Sequence, residues 1–511
     1  MTLAKTLSVA LVGIDGRLVE VEVNIGQGLP GTVIVGLPDA AVQQARDRVK
    51  AAITNSGESW PDRKVTVGLS PANLPKRGSC FDLAFATGVL AASGAVPAEA
   101  VARTVFFAEL GLDGRVRGVP GVLPAVLGAS NAGVDRIVVS RMNAAEARLV
   151  PGVDVTAVGS LRELLHLLRG EDVPEGLPGG AEPEQVVPER PRHLDLCDVL
   201  GQTQGRRAVE VAAAGGHHLY FHGPPGSGKT MLAERLPGLL PELDQGAALE
   251  VTAVHSVANA LPAGCPLIST PPFQDLHHTA TVAALVGGSG GGAGVPRPGA
   301  ASLAHHGILF LDEAPEFASG VLEALRQPLE SGVVVIARAA GVARYPARFT
   351  LVLAANPCPC ASAGAASHCS CPAGVKRRYQ AKLSGPLLDR IDLQIELPKL
   401  KRVEMLNDRQ HVETTATVAA RVAESRQRTA KRLAGTPWRT NAEIPVGVLR
   451  RRWPPRHDAF EPLEHKLDLG LLTARGLDRI VRVAWTLADL AGRDQPGRDE
   501  VALAATYRTG S

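Results

Sequence analysis

His218-Leu-Tyr-Phe-His-Gly-Pro-Pro-Gly-Ser-Gly-Lys-Thr-Met-Leu-Ala-Glu-Arg-Leu236 decides how the rest of this chain is read. His218–His222 reads as a short strand, and Thr230–Leu236 as the start of a helix. Between them Gly223, Pro224, Pro225, Gly226, Ser227, Gly228, Lys229 and Thr230 satisfy G-x-x-x-x-G-K-[ST], in the strand–loop–helix context that the pattern requires. Glycines let backbone N–H groups turn inward around phosphate oxygens, and the following helix offers them its positive end. Lys229 adds a point charge at the β- and γ-phosphates, and Thr230 a hydroxyl for Mg2+. The loop therefore predicts a site for ATP and Mg2+.

Working outward, Ile308-Leu-Phe-Leu-Asp-Glu313 is an apolar strand that ends in two carboxylates, about 80 residues beyond the loop. Asp312 stands where it would hold Mg2+, and Glu313 where it would polarise an attacking water as general base. The next strand, Leu351-Val-Leu-Ala-Ala-Asn356, ends in an amide. The carboxyl end of a sheet strand is where wound sheets bind ligands, so Asn356 reads either as an orienter of water or γ-phosphate or as a turn residue before Pro357. Leu387-Leu-Asp-Arg-Ile-Asp392 sets Arg390 before a further strand, as a finger for transition-state charge or as a surface ion pair. Strands alternating with helices predict a parallel, wound α/β sheet.

The chain has 511 residues, enough for about three domains. Its net charge of +3 excludes a globally basic binder but not a local basic surface. Gly170 to Pro191 is rich in Pro, Gly and Glu and lacks an apolar period, so residues 170–192 are expected to be a linker. It divides a mixed strand-and-helix domain, 1–169, from an α/β core, 193–400. Beyond Lys401 the sequence reads as almost wholly helical, with Val412–Leu433 and Leu471–Ala491 as long amphipathic segments. Seven cysteines, four of them within 358–371, do not look like a secreted disulfide framework. No apolar run reaches a membrane span, and the expectation is a cytoplasmic chain without membrane partners.

These motifs resemble the AAA+ ATPases, and more narrowly the magnesium-chelatase-like ComM/YifB family. The specific pieces are Ala212-Ala-Ala-Gly-Gly-His-His218, His277-His278-Thr279, Ser302 to Glu313, Ala354-Ala-Asn-Pro-Cys-Pro-Cys360 and Leu472-Thr-Ala-Arg-Gly-Leu-Asp-Arg479. The resemblance implies that Lys229 and Thr230 belong to Walker A and Asp312 and Glu313 to Walker B. It places Asn356 at sensor 1, Arg390 at the arginine finger that serves the adjacent subunit, and Arg475 at sensor 2, in a C-terminal helical lid over 401–511. It also implies a ring, usually a hexamer, and two hairpin insertions. One would fall at about Ala280–Ala304 and the other at Val333–Phe349, with Arg338, Arg344 and Arg348 directed at DNA in the pore or at inter-subunit pairing. The N-terminal domain is similar to the Lon-protease-like, ribosomal-S5-type fold. Cys80 stands where the nucleophilic serine of that fold would be, and Gly118-Val-Pro-Gly-Val-Leu-Pro124 has no lysine, so proteolysis is not expected.

Cys358, Cys360, Cys369 and Cys371 form C-x-C-x8-C-x-C beside His368: a structural Zn2+ site, reduced thiols on a loop, or a redox-sensitive pair. His277-His278 and His305-His306 have no recognised ligand spacing and are read as structuring residues. The resemblance implies a ring motor driven by ATP on single-stranded or branched DNA, with ComM-like branch migration in recombination or natural transformation. The alternative is a chelatase-like ATPase that remodels a protein partner.

Overall fold

In the computed structural model, the residues described are 2–177, 194–262, 266–288, 296–338, 341–360, 369, 371–400, 403, 408, 412–461, 463 and 472–509. Most of the expected linker, the glycine run after Gly288, His368 and Leu471 lie outside them. The fold is the expected α/β class, with an α+β N-terminal domain, a parallel-sheet core and a helical C-terminal part.

The N-terminal sheet has seven strands in the order Gly31–Val35, Lys64–Ser70, Asp15–Gly26, Thr2–Val12, Thr104–Phe107, Arg136–Ser140, Asp154–Val158. Thr2–Val12 and Asp15–Gly26 pair antiparallel along their whole length. On the second, Val19, Val21, Val23 and Ile25 are buried while the residues between them are not, as the period of two requires. The helix Ala40–Asn55 begins where Asp39 accepts from Val42 N–H at 2.8 Å. The helix Asp82–Ala92 is buried on every side.

The core sheet has five strands, all parallel, in the order Phe273–Leu276, Ile308–Leu311, Thr350–Ala355, Leu219–His222, Leu393–Glu396. Ile308–Leu311 is fully buried, which is why its sequence is a continuous apolar run. The strand Phe273–Leu276 has no counterpart in the sequence reading. Pro271 and Pro272 precede it and Asp275 interrupts it, so neither alternation nor an apolar run marks it. Val333–Arg338 and Gly341–Pro346 pair only with each other, as a hairpin outside the core sheet. The long C-terminal helices are Thr415–Arg432 and Ala474–Leu490, opened by Thr414 and Thr473, whose side chains accept from Thr417 and Gly476 N–H.

Among the described residues, the domains touch at helix Gln245–Ala258 and at the hairpin. Helix Gln245–Ala258 lays Ala253 into the apolar cluster around Val122, Val126 and Phe107. There Gly121 N–H donates to Ser256 Oγ at 2.9 Å, and the Ser256 hydroxyl donates to the buried Glu146 carboxylate. At the second, the turn between the first two strands abuts the hairpin. Gly13 has φ +68°, and a Cβ there would lie 2.5 Å from the Arg344 carbonyl oxygen, so the two backbones touch where only glycine fits. Among the described residues no helix is long and apolar enough to cross a membrane.

Candidate functional site

The phosphate loop leaves the strand Leu219–His222 and enters the helix Lys229–Arg235. Gly226 and Gly228 have φ +75° and +88°, which turns consecutive N–H groups to one side. Gly223 needs its missing side chain for another reason: a Cβ would stand 2.3 Å from the Leu397 carbonyl oxygen. Lys229 is buried, and its ammonium donates to Gly223 O at 2.7 Å, Pro224 O at 2.9 Å and Asn356 Oδ1 at 3.1 Å. Burial pulls its pKa down, and the Asp312 and Glu313 carboxylates oppose that shift. Ser227 Oγ is buried with no hydrogen-bond partner.

The central strand delivers the acids to this loop. Thr230 Oγ1 donates to Asp312 Oδ2 at 2.7 Å, and Asp312 Oδ1 accepts from Glu313 N–H at 2.8 Å. Glu313 has φ +49°, an uncommon backbone for a residue with a side chain, and its carboxylate projects to the surface. His278 Nδ1 lies 3.4 Å from Glu313 Oε2, and its ring lies against the His277 ring at a 36° tilt, with centroids 4.1 Å apart. The structure thus gathers Lys229, Thr230, Asp312, Glu313 and Asn356 at the carboxyl ends of adjacent parallel strands. His278 joins them from the unforeseen strand. An orphaned buried hydroxyl, an anion-facing loop and a Thr–Asp pair fit a nucleoside triphosphate with Mg2+.

Arg390 and Arg475 lie elsewhere. Both line a cleft of about 1080 Å3 between the core and the C-terminal helices, and no residue of the phosphate loop lines it. Arg390 pairs with Glu330 and donates to Pro386 O, while its Nε is buried without a partner. Arg475 is largely exposed, 3.7 Å from Asp389. Asp392 braces this wall: it is buried, bonded to Arg479 at 2.9 Å, and accepts from His218 N–H at 3.2 Å. Burial alone would raise its pKa, but Arg479 and His217 hold its carboxyl well below the usual range.

The hairpin arginines diverge. Arg344 is exposed on the outer face of the hairpin, and Arg348 lies beyond it in the arginine cleft. Arg338 is in the hairpin's first strand. The expected first insertion contains a short helix, Val282–Val286, and a two-residue strand pair, Gly287–Gly288 with Arg297–Pro298.

Two groups of metal-ligating side chains occur among the described residues. The four cysteines of the sequence pattern are one: their Sγ atoms all lie within 4.8 Å of one another, so the cluster could hold a metal. The other is Glu250 with His305 and His306, each Nε2 3.1 Å from Glu250 Oε2. The sequence reading found no carboxylate for this histidine pair because Glu250 sits on a distant helix. His305 Nδ1 accepts from Arg348 N–H at 3.0 Å, so its proton is on Nε2, which donates to Glu250. A nitrogen so occupied is a poor ligand, and the trio is a hydrogen-bonded brace at the entry of the central strand. In the N-terminal domain, burial pushes the Cys80 thiol well above its ordinary range, and its contact is the Arg77 carbonyl at 3.6 Å.

Comparison with known proteins agrees with this geometry. Residues 195–405 match the profile of magnesium chelatase, subunit ChlI. Residues 21–143 match that of subunit ChlI of Mg-chelatase, and 412–508 that of the ChlI C-terminal region. An uncharacterized protein of Mycobacterium tuberculosis is 53% identical over 99% of both chains. Competence protein ComM of Haemophilus influenzae is 41% identical over 99% of this chain and 98% of its own, and YifB of Escherichia coli 39% over 99% and 97%. A stretch of 145 residues is 30% identical to Lon protease 2 of Bacillus subtilis, 26% of this chain and 24% of that one. With relatives of this identity along the whole length and a Walker-type site on a five-stranded parallel sheet, the chain belongs to the magnesium-chelatase-like ComM/YifB family of AAA+-type ATPases.

Proposed function

We propose that this chain is a ring-forming, Mg2+-dependent ATP motor that acts on single-stranded or branched DNA, in the manner of branch migration. The observation that carries the ring is the split of the site. The phosphate loop and its acids form one unit, while Arg390 and Arg475 share a cleft that contains none of them. The exposed Arg475 and the mostly buried Arg390, lining one open cleft, suit the triphosphate of a neighbouring copy. The full-length likeness to a competence protein favours DNA as the partner over the porphyrin-chelatase setting, where the 38 kDa magnesium-chelatase subunit of Cereibacter sphaeroides matches only 40% of this chain.

In this reading, Gly223 to Thr230 wrap the phosphates and Lys229 leaves its loop carbonyls for the β- and γ-phosphate oxygens. Thr230 and Asp312 would hold Mg2+. When bound, the ion neutralises phosphate charge. Glu313 accepts the proton of the attacking water, and Asn356 orients that water or the γ-phosphate. His278 holds the Glu313 carboxylate until the site is complete. The exposed Arg344 tracks DNA phosphates without reading sequence. The chain works in the cytoplasm, and a hexamer is the expected ring.

The test is the ATPase rate with single-stranded, duplex and four-way-junction DNA at two salt concentrations, with Glu313→Gln as blank. Stimulation by DNA that weakens with salt is the expected result. Hydrolysis that ignores every DNA would instead point to a protein-remodelling ATPase.

A further inference from the structure

We propose that Cys358, Cys360, Cys369 and Cys371 bind one Zn2+ as a tetrathiolate, and that this ion ties the strand bearing Asn356 to the turn bearing Glu313. Three distances define the cluster: Cys358 Sγ to Cys360 Sγ is 2.9 Å, Cys358 to Cys369 is 3.3 Å, and Cys360 to Cys369 is 3.5 Å. These are too long for a disulfide of about 2.05 Å. They approach the spacing of about 3.8 Å expected between sulfurs of a tetrahedral site with Zn–S near 2.3 Å. None of these four cysteines is in a disulfide, and Cys358 is buried. Four soft donors with no carboxylate among them select Zn2+ over Mg2+ or Ca2+.

The connections on either side give the ion its consequence. Cys358 follows Asn356 across a single proline, at the end of the strand Thr350–Ala355. Cys371 is followed at once by the helix Ala373–Gln380, whose Lys376, Arg377 and Arg378 place positive charge next to a centre of net charge −2. The same helix buries Tyr379 beside Glu316, and Lys382 just beyond it lies 3.9 Å from Glu316. Glu316 ends the single turn that starts immediately after Glu313. The thiolate cluster therefore closes a loop between the end of one catalytic strand and a helix packed on the end of the next. The ion acts as a positioning element and does not touch the reacting atoms.

The test uses the full chain, expressed with zinc and purified without chelator. Zinc is measured by atomic emission and thiols by mercurial titration with a chromophoric chelator present. The expected result is about one zinc per chain, released in step with modification of four thiols, and near zero in Cys369→Ser/Cys371→Ser. Removing zinc from the wild-type chain should lower ATP turnover by about 10- to 100-fold, the usual effect of losing support behind a site, while binding of a fluorescent ATP analogue changes less than about 3-fold. Zinc below about 0.1 per chain, with none taken up by the reduced protein from added ZnCl2, overturns the site. So does recovery of the four cysteines as disulfides under non-reducing mass spectrometry. Zinc that binds but whose removal leaves turnover unchanged overturns the positioning role.

Discussion

Lys229 and Arg390 are both cations of one α/β core, and they keep different company. Lys229 is enclosed by its own loop carbonyls and Asn356, with the Asp312–Thr230 pair alongside. Arg390 stands in an open cleft with six further arginines, held by Glu330 and with its Nε unpartnered. The first region gathers the phosphate loop, its acids and Asn356, whereas the second sets its arginines among carboxylates, Glu330, Asp389, Asp392 and Asp478 included, and holds none of the phosphate loop. In the proposed ring, an active site divided this way would make catalysis depend on assembly, since neither half would do the chemistry alone.

The sharpest way to break this comparison is Arg390→Ala. If Arg390 serves as an arginine finger, turnover should fall by about 10³–10⁵ with ATP binding retained. Mixing that variant with Lys229→Ala should restore part of the rate, because each chain supplies the half that the other lacks. If mixed rings stay inactive, the divided site is wrong. Glu313→Gln attacks the enclosed half and should cost about 10²–10⁴ in turnover while leaving assembly intact, as read by steady-state ATPase and sedimentation. Arg475→Ala sharpens the comparison: if it shares Arg390's task, the loss should be smaller, about 10- to 100-fold, and equally open to rescue by mixing.

His278→Ala probes whether the enclosed half is restrained at rest. Removing the ring beside Glu313 should raise basal ATPase a few-fold and reduce the ratio of DNA-stimulated to basal rate. A milder effect concerns the brace behind the strand. Burial lowers His305 to about 4 from its ordinary 6.5, so it is neutral when folded, and the unfolded chain takes up its proton first as pH falls. Stability should decline from pH 6.5 toward 4, by at most about 1.4 kcal/mol per pH unit from this group. Denaturant unfolding of His305→Gln should show a flatter profile across that window.

How legible each region was in the sequence follows the same division. The phosphate loop and Ile308–Glu313 were readable because their function is local: backbone angles, an apolar strand and the residues at its end lie within a few positions of each other. The five-stranded sheet was readable except for Phe273–Leu276, whose short, interrupted pattern becomes a strand only by pairing with Ile308–Leu311. His278 was visible in the sequence but read only as a structuring residue, since its place beside Glu313 depends on where that strand ends. Glu250 was missed because 55 residues separate it from His305. The thiol pattern was visible in sequence, but its convergence was not, because C-x-C spacing is compatible with an open loop. That Arg475 joins Arg390 and not Lys229 is decided by how the C-terminal helices dock, which no local signal records.

The backbone contact between Gly13 and Arg344 has a mechanical consequence. Thr2–Val12 and Asp15–Gly26 form a ribbon about 35 Å long at about 3.3 Å per residue, and its tip rests on the hairpin strand. A ribbon hydrogen-bonded along its whole length resists bending, so displacement at the hairpin travels to the far end of the N-terminal sheet like motion along a push-rod. If the hairpin takes a stroke with each nucleotide cycle, the N-terminal domains would feel it as load, and a side chain at residue 13 would wedge the rod off its seat.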